Sequence, residues 1–227
     1  MTDLGQLLAA VRFADSAFPT GGFAFSSGLE GSYRDGLVQD EGDVAGYAAE
    51  QLVGRWQQCD RVLLRHAWAQ PDPLTTDRLA EAVGTMSVLR EASRRAGAAT
   101  LATFAAVGPS DPKADRRSEV ADYRARVLGG AAPGHLPVAQ AICLRAAGLT
   151  LETAETVTAW QVLSGITGAA LRLGICGHLG AQRIVTDLNP LLLDVLRRDP
   201  PAAPAAFTAF ADIAAQRRGD GVRLFAS

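Results

Sequence analysis

The chain has 227 residues, 48% of them hydrophobic, enough to bury most of its apolar surface in one core, so a single domain spanning 1–227 is the expectation. Its 22 basic and 24 acidic residues leave a net charge of −2, with no positive excess to neutralise a phosphate backbone or an anionic bilayer; nucleic acid and membrane are thereby disfavoured as partners. The three cysteines, Cys59, Cys143 and Cys176, are odd in number and widely spaced, which argues against a disulfide framework, and the start of the chain carries neither a basic n-region nor an apolar run of signal or spanning length, so a reducing, cytoplasmic setting is expected.

Alanine and leucine abound and period-2 alternation of β-branched residues is almost absent, so the predicted elements are all helical. They run at 4 to 14, 27 to 35, 41 to 69, 75 to 84, 86 to 107, 113 to 128, 136 to 147, 151 to 173, 176 to 186, 188 to 197 and 203 to 217, an all-α bundle of about ten helices broken at Gly/Pro clusters such as Pro71-Asp72-Pro73 and Gly129-Gly130-Ala131-Ala132-Pro133-Gly134.

Between the first two helices, Phe18, Pro19, Gly21, Gly22, Phe23 and Phe25 crowd into one connection. Pro19 fixes its own φ, the glycines allow positive φ or close backbone approach, and the aromatic rings must bury against the body or a partner. Ser27-Gly28-Leu29-Glu30 then reads as a capping box opening the second helix.

In the helix from 86 to 107, Arg90, Ser93, Arg94 and Gly97 share a face, and Arg95 lies beside them; such a face is either solvated with internal ion pairs or a close-approach contact surface. Residues 151 to 173 form the expected central helix, with Ala154, Val157, Trp160, Leu163, Ile166, Ala170 and Leu173 at spacings of three and four. Its small residues Ser164, Gly165, Gly168 and Ala169 suit a tight internal crossing, favoured here, or a dimer seam.

Cys176-Gly177-His178 offers thiolate and imidazole, ligands that suit nickel or zinc, but no second such pair exists, and a helix-start histidine beside a buried thiol is the preferred reading. There is no G-x-S-x-G, no H-E-x-x-H and no phosphate loop, so no catalytic residues, metal ligands or cofactor are assigned. A helical DNA-binding regulator is the alternative class; it requires a basic N-terminal helix-turn-helix, whereas residues 1–30 hold Arg12 alone against Asp3, Asp15 and Glu30. An enzyme with an unrecognised site would show turnover when isolated.

Taken in order, five stretches resemble the UreF family of urease accessory proteins. They are Asp15-Ser16-Ala17-Phe18-Pro19-Thr20-Gly21-Gly22-Phe23; Arg90-Glu91 with Ser93 and Gly97; His135-Leu136-Pro137-Val138; Ala169 to Gly174 with Gly177, Gln182 and Arg183; and the ending Arg223-Leu224-Phe225-Ala226-Ser227. The resemblance implies a dimeric, non-enzymatic, all-α protein that bridges a UreD/UreH-type accessory protein and a UreG-type GTPase during nickel delivery to apo-urease. Nickel is then cargo of the complex rather than a cofactor of this chain. It further implies partner contacts by Phe18, Pro19, Gly21, Gly22 and Phe23, by Arg90, Arg94 and Arg95 with Arg172 and Arg183 as weaker members, and by a C-terminal tail of Arg223, Leu224, Phe225 and Ser227 hinged at Gly219-Asp220-Gly221. Phe25 and His178-Leu179 depart from the family's usual residues.

Overall fold

The computed structural model of the chain describes residues 4–19, 26–107 and 114–205, and among these every regular element is a helix. The elements are α1 (Leu4–Ala14), α2 (Leu29–Arg34), α3 (Glu41–Glu50), a π-helical segment (Gln51–Asp60), α4 (Arg61–Ala69), α5 (Leu74–Val83), α6 (Ser87–Val107), α7 (Ala114–Leu128), α8 (Leu136–Ala146), α9 (Leu151–Leu173) and α10 (His178–Arg197). The predicted helix over 41–69 is one uninterrupted rod, since the junction residues Glu50, Gln51, Asp60 and Arg61 all keep right-handed helical dihedrals; its middle is widened into the π form.

α9 is the central helix. Its first half places Ala154 and Val157 in a core with Phe13, Leu64, Leu101, Phe104 and Ile142, and its second half places Leu163, Ile166 and Ala170 in a core with Leu29, Val44, Tyr47 and Ile184. Ala159 sits between, packed with Leu52, Trp56 and Leu192. Trp160 and Leu173, expected to be buried, are half-exposed at the edge of this packing.

Two buried polar knots tie helices together. Arg61, 1% exposed, donates to the carbonyls of Val195 (2.9 Å), Leu196 (3.0 Å) and Arg198 (2.8 Å), satisfying the orphan acceptors at the end of α10. It also pairs with Glu155 of α9 at 2.8 Å, which Arg65 grips from the other side, and its guanidinium lies over the Trp56 ring. In the second knot the fully buried carboxylate of Asp77 accepts from the Tyr123 hydroxyl (2.7 Å) and from the amides of Gly134 (2.8 Å) and His135 (2.9 Å), fixing α5, α7 and the entry to α8.

Several local expectations are corrected. α10 runs unbroken through Pro190 where two helices were expected: Pro190 and Thr186, the residue whose carbonyl loses its donor, are both on the solvent face, so the proline is accommodated without burying an unpaired carbonyl in the core. The capping box is not made. Ser27 (φ 51°) and Gly28 (φ 91°) turn left-handed instead, the Ser27 carbonyl accepts from the Tyr47 hydroxyl, and the Ser26 hydroxyl takes the amide of Glu30. Residues 203–205 are not helical, and the remainder of the helix expected at 203 to 217 lies outside the described residues. Among the described residues no helix is long and apolar enough to cross a membrane.

Candidate functional site

Two adjoining depressions open on the body, the larger on the side of α9 that carries its small residues. The larger, of about 760 Å³, runs from the end of α1 past the π-helical segment and α9 to the start of α10. The smaller, of about 70 Å³, lies between the π-helical segment, the end of α5, α6 and the start of α8. Arg55, Asp60, Leu89, Ser93 and Pro137 line both.

Of the small residues of α9, Ala169 is fully buried in the second core, but Gly165 and Gly168 do not make the internal crossing expected of them. A Cβ on Gly165 would meet nothing within 4 Å, and one on Gly168 would meet only the Arg172 guanidinium at 3.5 Å; both glycines line the larger depression. The close backbone approach occurs elsewhere, at Gly97, where a Cβ would stand 2.0 Å from the carbonyl oxygen of Gly134. This contact seats α6 against the entry to α8, and Ser93, one turn earlier, accepts from the Leu136 amide at 3.2 Å. Pro137 sits in the first turn of α8, where a missing N–H costs nothing.

His135 caps that turn, buried to 2% exposure, with Nδ1 3.2 Å from the Ser93 hydroxyl and Nε2 2.8 Å from the Glu81 carboxylate. Burial pushes the Glu81 carboxyl upward, but His135, Arg94 and Arg90 outweigh it and hold the group below its ordinary value. Arg94 is 3.5 Å from Glu81, and Arg90 both approaches Glu81 at 3.3 Å and donates to the Gly84 carbonyl. Arg90 therefore belongs to an internal network, Arg94 pairs at its rim with a side chain 40% exposed, and Arg95 is exposed with its Nε toward the Glu91 carbonyl.

Phe18 is half-buried, edge-on to Phe13 with ring centroids 5.0 Å apart, and lines the larger depression; Pro19 is exposed, its carbonyl accepting from the Thr103 hydroxyl at 2.6 Å. Gly21, Gly22, Phe23, Arg223, Leu224, Phe225 and Ser227, and the hinge at Gly219, lie outside the described residues. Arg172 is on the wall of the larger depression, and burial of its stem lowers the guanidinium's pKa. Arg183 grips Glu41 with both oxygens near 3 Å, over Gly180, where a Cβ would collide with that carboxylate. Phe18, Arg90, Ser93, Pro137 and Arg172, scattered along the sequence, thus come to one face, while Arg183 serves the α3–α10 contact.

Burial and the Asp60 charge push the Cys59 thiol up to about 12, burial pushes the Cys143 thiol up as well, and burial with Glu41 does the same to Cys176, so none of the three is a ready thiolate. Asp60, 3.5 Å from Arg55, is likewise raised by burial against that arginine's pull. His178 is the exposed first residue of α10 beside buried Cys176, and among the described residues no three His, Cys, Asp or Glu side chains are grouped to hold a metal ion.

Sequence reasoning passed over Asp77, Glu81, Asp60 and the Arg61–Glu155–Arg65 knot. A signal existed for the last: Glu155 is an acid between Ala154 and Val157 on the apolar face of a helix, where an unpaired charge is not tolerated.

The family model of UreF matches residues 38–189, more than half of the chain, from just before α3 into α10. The chain belongs to the UreF family. A relative from Arthrobacter sp. strain FB24, named urease accessory protein UreF, is 30% identical over 202 residues, covering 89% of this chain and 87% of its own. The protein of the same name from Cereibacter sphaeroides ATCC 17029 is 33% identical over 85% of this chain and 90% of its own, and that of Agrobacterium fabrum C58 is 27% identical over 99% and 97%. The similarity therefore spans these UreF proteins nearly end to end.

Proposed function

We propose that this UreF-family chain is a non-enzymatic urease maturation factor, which as a homodimer joins a UreD/UreH-type accessory protein and a UreG-type GTPase to apo-urease for nickel insertion. The observation that carries the reading is the end-to-end similarity to proteins named urease accessory protein UreF. The face around Phe18, Ser93, Pro137 and Arg172 supports it, because it gathers residues from distant parts of the sequence onto one open surface. The C-terminal residues Arg223, Leu224, Phe225 and Ser227 are assigned to the UreD/UreH-type partner, Phe18, Pro19, Gly21, Gly22 and Phe23 to the same interface or to the dimer, and Arg90, Arg94 and Arg95 to the GTPase or to the dimer partner.

Co-expression of urease subunits with the other accessory proteins, with and without this chain, tests the function. Urease from cells lacking the chain should be nickel-poor and nearly inactive, and equal nickel content and activity in both would refute the proposal.

A further inference from the structure

Arg94 is the least satisfied member of the Glu81 network. His135 Nε2 takes Glu81 Oε2 at 2.8 Å and Arg90 Nε approaches Oε1 at 3.3 Å, so Arg94 reaches the carboxylate only by sharing Oε2 at 3.5 Å, and among the described residues it has no other ion pair. Its side chain stays 40% exposed. Arg78 stands three residues before Glu81 on the same side of α5 but does not pair with it; it is exposed and makes no hydrogen bond or ion pair among the described residues. Arg95 is exposed beside Arg94. With the fully buried Asp77 set aside, α5 and α6 carry Arg78, Arg90, Arg94 and Arg95 against Glu81 and Glu91, a local charge of +2 on a chain whose net charge is −2.

We infer that Arg78, Arg94 and Arg95 form a docking face for a carboxylate-rich surface of the GTPase, with Glu81 as the internal carboxylate that holds Arg94 in place for the partner's. Two observations select this chemistry. One carboxylate shared by two guanidiniums and an imidazole shows what the site pairs with and leaves donors over for a second. The local charge of +2 suits an acidic protein patch but falls short of the roughly six or more phosphate contacts on which tight nucleic-acid binding rests. Because Glu81 is itself gripped by buried His135, Arg94 is presented from a fixed point rather than from a loose chain. The inference rests on the GTPase side of the assignment above, extends it to Arg78 and names the charge of the partner.

The test is binding of the UreG-type GTPase to the full chain in complex with the UreD/UreH-type protein, at low and high salt, for the wild type, Arg78→Glu/Arg94→Glu and Glu91→Gln. Wild-type affinity should fall as salt rises, and the double charge reversal should weaken binding about tenfold or more with an unchanged helical circular-dichroism signal, since neither side chain is buried. Glu91 is exposed and outside the Glu81 network, so Glu91→Gln removes a negative charge from the face without disturbing it and should speed association about twofold, a gain that a merely structural arginine face would not give. Failure of the wild type to bind the GTPase would overturn the GTPase assignment itself. Binding that ignores salt and the charge reversal would leave that assignment standing and overturn the acidic docking face. A reversal variant that loses its homodimer in sedimentation while still binding the GTPase would overturn it too, in favour of the dimer partner, and duplex DNA bound by the wild type and released by the variant would overturn it in favour of nucleic acid.

Discussion

At the scale of single residues, two positions fix the arrangement. Gly97 is required by contact rather than by its dihedral angles: Gly97→Ala drives a methyl group into the Gly134 carbonyl and must separate α6 from the entry to α8, at about 1–3 kcal/mol, read as a lower urea midpoint with an unchanged slope. Arg61 serves two masters, the Glu155 carboxylate and the last carbonyls of α10. Glu155→Ala leaves a buried guanidinium without its counter-charge and should cost about 3–5 kcal/mol. If the ion pair were all that Arg61 did, Arg61→Met would be nearly neutral in a background that already carries Glu155→Leu. The carbonyl contacts predict a remaining loss of about 1 kcal/mol or more there, measured by a double-mutant cycle.

At the scale of elements, Pro190 and Asp77 act in opposite directions. Pro190 interrupts α10 on its exposed face, so Pro190→Ala restores an N–H for the Thr186 carbonyl and should raise stability by about 1 kcal/mol, offset in part by the freer unfolded chain. A fall in melting temperature would mean that the proline's fixed φ matters more than the missing bond. Asp77→Ala does the reverse, orphaning the Tyr123 hydroxyl and two amides at once. With about 1–3 kcal/mol per buried unsatisfied group, this variant should be the most damaging single change at the α5, α7 and α8 junction. Amide exchange should quicken at Gly134 and His135 first.

At the scale of the whole molecule, the sequence makes the helices legible and the face only in outline. α9 and the rod from 41 to 69 are plain because apolar spacing and the Gly/Pro breaks are local signals. Asp77 and Glu155 were invisible because their partners lie 46 to 58 and 90 to 94 residues away, and no periodicity reports a long-range hydrogen bond. The unbroken course of α10 was missed for a related reason, since whether a proline breaks a helix depends on which way the freed carbonyl faces. The same distant pairs set the response to acid. Burial pushes the Glu155 carboxyl up, but the hydrogen bonds and charges of Arg65 and Arg61 prevail, and Glu81 is lowered in the same way by His135 and the two arginines. A carboxylate whose folded pKa lies below its unfolded value contributes stability above the unfolded value, near 4.5 here, and loses it as pH falls through the folded one. Asp60 has the opposite sign: raised by burial in spite of Arg55, its ionised form opposes folding, and that cost disappears as pH falls. With the two lowered groups in stronger contacts, the net effect is a melting temperature that drops as pH is taken from neutrality to below about 4. Glu155→Gln should flatten that drop while lowering stability at neutral pH, whereas Asp60→Asn should raise stability at neutral pH and steepen the drop. Thermal melts of the three proteins across this range decide the matter, and parallel curves for wild type and Glu155→Gln would show that the buried pair takes no part in acid unfolding.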